Sequence, residues 1–280
     1  MEPQNNPVAP TSRWMAAARA RESERADRLF DDPLAATLAG PEGFDWLERM
    51  QPSGGSGGPG LYAVVRTRFF DDFLLDACEG SGVRQVVLAA AGLDTRAFRL
   101  DWPPGTRLYE MDLPEVLDVK DEVIEGSGAR ATCERRTVRV DLKEETWPEA
   151  LLAAGYRAEE PSVWLIEGLL FYLPGAAVHS LLDRVTTLTA PGSLLGLDLM
   201  NRNLLFSPMA WLQLAALARR GAQGRFGTNV PEALLERHGW EADVTQPGEE
   251  GANYGRWPST APHRRLPGLP RSFLVKARRS

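Results

Sequence analysis

The residues best suited to chemistry lie between Gln85 and Asp112, in the string QVVLAAAGLDTRAFRLDWPPGTRLYEMD. An apolar run over 86–91 ends at Gly92. A second short apolar segment near 107–111 carries the acidic residues Glu110 and Asp112 at its end. A strand, a small-residue turn, a helical segment, then a strand tipped by a carboxylate about twenty residues on is the layout of a nucleoside-binding α/β crevice. Small residues let the backbone come close to a ligand. The carboxylate at the next strand end can accept two hydrogen bonds from a ribose diol. These residues predict an adenosine-type cofactor.

The glycine pattern narrows the choice. A dinucleotide site uses G-x-G-x-x-G to bring helix-end N–H groups to a pyrophosphate. The corresponding positions here are Ala90, Gly92 and Thr95, and Asp94 adds a negative charge where a pyrophosphate would sit. That disfavours a nicotinamide dinucleotide and suits a cationic ligand without phosphate, such as S-adenosylmethionine. Gly92 also fits a helix-packing role, and Asp112 also fits an N-cap for a helix starting at Pro114.

Five strings extend the pattern: RTRFFDDFL (66–74), QVVLAAAGLDTRAFRLDWP (85–103), YEMDLPEVLDVK (109–120), VDL (140–142) and WLIEGLLFYLP (164–174). In order and spacing they resemble the leucine carboxyl methyltransferase family, including its bacterial branch of small-molecule O-methyltransferases of the polyketide-tailoring type. The resemblance runs from about residue 13 to the C-terminal SFLVKARR. It implies S-adenosylmethionine as cofactor and S-adenosylhomocysteine as product. It also implies a class I, Rossmann-like α/β fold with a seven-stranded sheet. The cofactor residues implied are Arg66 on the methionine carboxylate, Glu167 near the methionine ammonium, Asp141 on the adenine amino group and Leu142 against the ring. Glu167 otherwise reads as half of a structural ion pair with an arginine, and Asp141 as a capping residue. Arg68 is the rival of Arg66, since residues two apart face different sides of a helix. Arg96 and Arg99 are expected to brace the turn or the protein surface. Where the family usually has Gly-Ala-Gly, this chain has Ala90-Ala91-Gly92; a methyl group at Ala90 fits if its φ is negative.

Elements must hold these residues in place. Residues 13–30 read as a charged amphipathic helix with Ser12 as N-cap, broken at Asp32-Pro33. A second helical stretch ends near Met50, and QPSGGSGGPG (51–60) is flexible by composition. The expected division is an N-terminal helical cap with its loop over 1–60 and a methyltransferase core over 61–280. Helices are expected over 61–77, 114–124, 175–189 and 231–238. Strands are expected near 86–91, 107–111, 136–140, 162–167, 193–199, from 240 and at 272–277. This alternation marks a parallel sheet, with a late strand pair forming an antiparallel edge. A lid insertion over 201–228, carrying a helix over 209–220, interrupts it after strand five. Glu110 is expected to play a structural part.

The acceptor is expected between the cap and the insertion. Candidate lining residues are Trp14, Met15, Phe171, Tyr172, Met200, Met209, Trp211, Phe226, Tyr254 and Trp257, whose types suit an apolar, planar molecule. Each also fits plain core packing. Methyl transfer from a sulfonium is an in-line displacement in which alignment and desolvation carry much of the rate. A carboxylate acceptor needs no base. A phenol or alcohol benefits from one, for which Tyr172, His179, Tyr254 and His263 are candidates.

Composition sets the outer bounds. The 280 residues are 43% apolar and 25% charged, with net charge −6, as for an ordinary globular chain. An acidic chain without a basic block is not a nucleic-acid binder. Two cysteines and three scattered histidines offer neither a disulfide framework nor metal-ligand spacing, so no metal is expected. No apolar run reaches the eighteen or so residues that span a bilayer, and the N-terminus lacks a signal pattern. The sequence thus reads as a cytoplasmic enzyme, monomer or homodimer, acting on a small molecule. Three alternatives stay open: a methyltransferase-like protein that uses the bound cation for a cyclisation, pericyclic or decarboxylation step, a nicotinamide oxidoreductase, and a non-catalytic adenosine binder.

Overall fold

The apolar strands marked by the sequence are buried because helices and loops cover both faces of one sheet. A computed structural model describes residues 9–50, 59–205, 207 and 224–280. Its strands are β1 (Gln85–Ala89), β2 (Arg107–Asp112), β3 (Glu134–Arg139), β4 (Val163–Ile166), β5 (Leu194–Met200), β6 (Trp240–Thr245) and β7 (Ser272–Arg279). They form a seven-stranded sheet in the order β3-β2-β1-β4-β5-β7-β6. The first five pair in parallel, and β7 lies antiparallel to both β5 and β6. Only β7 is therefore reversed; β6 runs with the parallel strands, so the expected antiparallel pair is a single antiparallel strand between two parallel ones. With that refinement this is the seven-stranded α/β sheet of class I methyltransferases.

Alternation along each strand splits the core in two. Val87, Tyr109, Met111, Trp164 and Ile166 face one cluster with Leu181 and Val185 of the helix Gly175–Thr187. Val86, Leu88, Leu108, Val163 and Leu165 face the other, against Phe69, Phe70, Phe73 and Leu74 of α3 (Pro59–Gly80). Gly196 in the middle of β5 permits this contact, since a Cβ there would stand 2.7 Å from the Phe73 ring. Burying each such aliphatic or aromatic side chain contributes roughly 1.5–3 kcal/mol.

The N-terminal helices differ from expectation. Helix α1 (Ala9–Ser23) starts before Ser12, which is thus inside the helix, not its cap, and it stops well before residue 30. Tertiary bonds turn the chain there: Ser23 Oγ accepts from Asp32 N at 2.9 Å, Glu22 Oε1 accepts from Leu29 N at 2.8 Å, and Arg68 Nη1 donates to Leu29 O at 2.7 Å. Nor is α1 amphipathic. Ala16, Ala17, Ala18, Arg19, Ala20 and Glu22 are all buried, so the helix is enclosed and its two inward charges are paired. Helix α2 (Ala35–Met50) kinks at Gly40, where φ is 57°, ahead of Pro41. Among the described residues, no helix is long and apolar enough to cross a membrane.

Strand order fixes where a ligand can sit. The chain runs β1-β2-β3 to one side, then crosses to β4-β5 on the other. The connections after β1 and β4 diverge, which opens a crevice at the carboxyl ends of these neighbours.

Candidate functional site

The turn after β1 forms one wall of that crevice. Ala91 N donates to Met111 O at 3.0 Å and Gly92 N to Asp112 Oδ2 at 2.6 Å. Leu113 N donates to the other carboxylate oxygen, Oδ1, at 2.7 Å. Asp112 thereby ties the β1 turn to the end of β2, and each oxygen keeps a lone pair for a second donor. Burial pushes its carboxyl above the usual range, a shift the Gly92 and Leu113 N–H groups oppose. Gly92 has φ 52°, and a Cβ there would lie 3.1 Å from Ser12 Oγ, so α1 closes directly over the turn.

Ala90 has φ 58°. The negative φ that its methyl group called for is not found. A left-handed L-residue costs about 1–2 kcal/mol, and the bonds at Ala91 and Gly92 that follow it hold it there.

The second wall is a continuous chain of buried ion pairs running from the cap to β5. Arg19 of α1 donates to Leu93 O at 2.6 Å and pairs with Asp32 at 2.7 Å, while Thr95 Oγ1 donates to the same Asp32 oxygen at 2.6 Å. Arg99 stands 3.9 Å from Asp32 and 2.6 Å from Asp71. Arg96 pairs with Asp71 at 2.7 Å, with Glu167 at 2.9 Å, and with Asp94. Glu167 pairs in turn with Arg66 at 2.8 Å, and Arg66 with Asp198 at 2.7 Å. Asp198 closes the chain, accepting Tyr62 OH at 3.0 Å and Gly168 N at 2.7 Å.

The electrostatics follow from these contacts. For Asp94, burial works to raise the carboxyl, yet Arg96 and Lys120 outweigh it and hold it down at about 2. Glu167 is lowered in the same way, by Arg96 and Arg66 against burial. Four guanidiniums (Arg19, Arg66, Arg96, Arg99) meet five carboxylates (Asp32, Asp71, Asp94, Glu167, Asp198), leaving one negative charge in excess, and Asp112 adds another at the rim. S-adenosylmethionine, with a sulfonium, an ammonium and one carboxylate, is a net cation and fits such a basin. A pyrophosphate does not. Arg66 Nη2 has only Met15 Sδ, at 3.7 Å, as its hydrogen-bond partner among the described residues, so that arm can still meet a carboxylate.

Arg66 and Glu167 are therefore brought together, while Arg68 points away to Asp72 at 2.9 Å. Arg96 and Arg99 are both buried in the pair network, so the surface role expected as one option does not apply; Arg96 does brace the turn. Glu110 pairs with Lys120, on the helix Pro114–Ser127, at 2.8 Å and with Arg135 of β3 at 2.7 Å. Asp141 Oδ1 accepts Lys143 N at 2.9 Å, a local turn that leaves its second oxygen open; Leu142 is half-buried beside it. Tyr62, Asp71 and Asp198 enter the frame without having been singled out for it. The signal available in sequence was that Tyr62, Arg66 and Asp71 share one helix, with acidic Asp198 on a strand that is otherwise apolar.

Around the acceptor side, Met15 contacts Arg66, and Phe171 and Tyr172 form a short 3-10 turn (Leu170–Tyr172) after Gly168. The chain returning from the insertion is pinned here: Arg225 N and Phe226 N donate to Phe171 O at 2.7 and 3.3 Å, and Thr228 N to Met200 O at 3.1 Å. Trp14 packs in the α1–α2 cluster. Tyr254 and Trp257 pack against the α3 cluster, with Tyr254 OH on Asp72 at 3.2 Å. His179 Nδ1 stands 2.9 Å from His238 Nε2, and His238 Nδ1 2.7 Å from Asp183. His263 is exposed and accepts Arg265 N at 3.2 Å. Met209, Trp211 and the helix expected over 209–220 lie outside the described residues, as do residues 51–58 of the Gly/Ser-rich loop.

The sequence profile of the leucine carboxyl methyltransferase family matches residues 12–186, more than half of the chain. A relative from Streptomyces avermitilis is 42% identical over 275 residues, covering 92% of this chain and 93% of the relative. One from Streptomyces coelicolor is 43% identical over 276 residues, covering 93% and 95%. Both carry a provisional assignment as S-adenosyl-L-methionine-dependent methyltransferases. The crystal structure of a DUF574 family protein from Streptomyces avermitilis superposes with a TM-score of 0.65 at 14% identity, over 96% of this chain and 97% of that one, which is a likeness of fold. With profile, relatives and crevice in agreement, the chain belongs to the leucine carboxyl methyltransferase family.

Proposed function

We propose that this S-adenosylmethionine-dependent methyltransferase transfers the methyl group to an acidic oxygen, in the first place a carboxylate, of a small metabolite, in the service of secondary metabolism. The observation that carries the reading is the chain of ion pairs with excess negative charge at the β1–β4 crevice, which includes Arg66 and Glu167. Arg66 would bind the cofactor's carboxylate, Glu167 its ammonium, and Asp112 its ribose, while Asp141 and Leu142 would hold the adenine. The bound sulfonium supplies an already activated methyl group. The protein's part is to align the acceptor and exclude water.

The bases on offer support an acceptor oxygen that is already anionic. Tyr172 and Tyr62 are pushed up by burial, so both phenols stay protonated at neutral pH and serve as donors. Asp198 has both oxygens hydrogen-bonded. His179 and His263 are bonded elsewhere. Residues 206–223 contain no Asp, Glu, His or Tyr. An acceptor that is already anionic needs no base. Met15, Phe171, Met200 and Phe226 supply apolar surface, which strips water from such an anion and strengthens it as a nucleophile.

The test uses cofactor with a deuterated methyl group in extracts of the source organism. Mass spectrometry identifies the labelled product, and mild alkali then distinguishes a methyl ester, which is cleaved, from an ether. A nitrogen- or carbon-linked label would refute the proposal, as would turnover that leaves the acceptor mass unchanged.

A further inference from the structure

Asp198 is a carboxylate of the network that touches Arg66 directly and has no part of its own in the cofactor reading. It lies within β5, fully buried, and joins three separate elements. Oδ1 accepts Gly168 N, at the turn after β4, at 2.7 Å. Oδ2 accepts Arg66 Nη1 at 2.7 Å and Tyr62 OH at 3.0 Å, both from α3. The Arg66 guanidinium also lies 5.4 Å above the Tyr62 ring, four residues earlier on the same helix. Gly168 takes the left-handed φ of 71° that this turn requires, and a Cβ there would be in ordinary contact, 3.5 Å, with Arg66 Nη1. Arg66 is therefore held on one edge by Asp198, on another by Glu167 at 2.8 Å and on its face by Tyr62. The edge that remains carries Nη2, beside the Met15 sulfur.

We infer that Asp198 is a positioning residue for recognition of the cofactor's methionine carboxylate: it fixes the Arg66 guanidinium with Nη2 turned toward the crevice, and Tyr62 fixes the Asp198 rotamer. A flexible arginine would spend rotamer freedom on each binding event. One locked at two edges and a face is pre-organised for a carboxylate. This inference rests on the S-adenosylmethionine reading of the crevice. It adds that discrimination for the amino-acid end of the cofactor originates in a residue that does not touch it.

The experiment compares two ligands by calorimetry. S-adenosylhomocysteine carries the amino-acid end, and 5′-methylthioadenosine lacks it. Asp198→Asn keeps an oxygen for Gly168 N but turns a neutral amide toward Arg66. It is expected to weaken S-adenosylhomocysteine by about tenfold or more, the scale of one charged hydrogen bond, and to leave 5′-methylthioadenosine within about twofold. Tyr62→Phe keeps the ring over Arg66 and removes only the hydroxyl; it should give the same selective loss, smaller, and it serves where the first variant does not fold. Equal losses for both ligands would mean that Asp198 only supports the fold, and would overturn the inference. No loss for either would do the same. A wild-type protein that binds neither ligand would reject the cofactor reading itself, and the inference with it.

Discussion

Replacing Arg96 with Met tests the buried frame most severely. The side chain is 2% exposed and meets Asp71 at 2.7 Å, Glu167 at 2.9 Å and Asp94. Met keeps much of the aliphatic volume and removes the charge. Asp71 would keep Arg99 at 2.6 Å, and Glu167 would keep Arg66 at 2.8 Å. As a direct partner Asp94 would keep only the backbone N–H of residue 96, now at 2.7 Å from Oδ1, with Lys120 and Arg99 acting without a direct bond. One largely buried carboxylate thus loses the one cation it touches. The drop of its pKa from 3.8 to about 2 corresponds to roughly 2 kcal/mol of favourable interaction. Leaving the charge unpaired adds to that, so the variant should lose about 3–5 kcal/mol near neutral pH.

The pH dependence should change sign. In the wild type, a depressed Asp94 contributes stability that is present above its unfolded pKa and is lost as pH falls through about 2. Without Arg96, only Lys120, Arg99 and the backbone N–H of residue 96 oppose burial, so the pKa moves up; we expect burial to prevail, and the penalty then to appear as pH rises through the new value. The variant should be more stable at about pH 5 than at about pH 7.5, where the wild type changes little. Urea titrations at both pH values read this directly. A loss below about 1 kcal/mol, or a pH trend matching the wild type, would refute the reasoning.

Three further outcomes follow from the site. Ala90→Gly should relieve a left-handed alanine and raise stability by up to about 1 kcal/mol, after allowing for the greater freedom of unfolded glycine; a lower urea midpoint would show that Ala90 is not strained. Asp112→Ala should weaken S-adenosylhomocysteine by a few kcal/mol at most, and unchanged affinity in calorimetry would remove Asp112 from the cofactor site. Methyl transfer should survive EDTA, because Glu167 and Asp198 are committed to Arg66, Arg96 and Tyr62 rather than free for a divalent ion; activity abolished by the chelator and restored by magnesium would contradict this.

What the sequence revealed was local, and what it hid was long-range. The strand–turn–strand spacing from Gln85 to Asp112 places the crevice because each feature is local to one βαβ unit. That Arg66 and Arg68 face different ways was legible from helix geometry, while the preference for Arg66 came from the family resemblance. The bond from Arg96 to Asp94 spans two residues and could be foreseen as a braced turn. Its bond to Glu167 spans 71 residues and could not, because neither sheet register nor helix depth is written in the local pattern. The same holds for Arg66 and Asp198, which are 132 residues apart. Helix α1 misled because its alanines and paired charges, Arg19 and Glu22, mimic a solvent-facing pattern while being enclosed. The conformation of Ala90 was hidden for another reason: alanine's own preference is for negative φ, and only the hydrogen bonds of the finished turn override it.

Calorimetric titration of the wild-type protein with S-adenosylmethionine, with NAD as comparator, tests the central claim most directly. An acidic crevice closed by Asp94 and lined by Arg66, Glu167 and Asp112 should bind S-adenosylmethionine in the micromolar range, about −8 kcal/mol, and should show no measurable affinity for the dinucleotide. NAD binding as tightly as S-adenosylmethionine, or no binding of S-adenosylmethionine at all, would contradict the account.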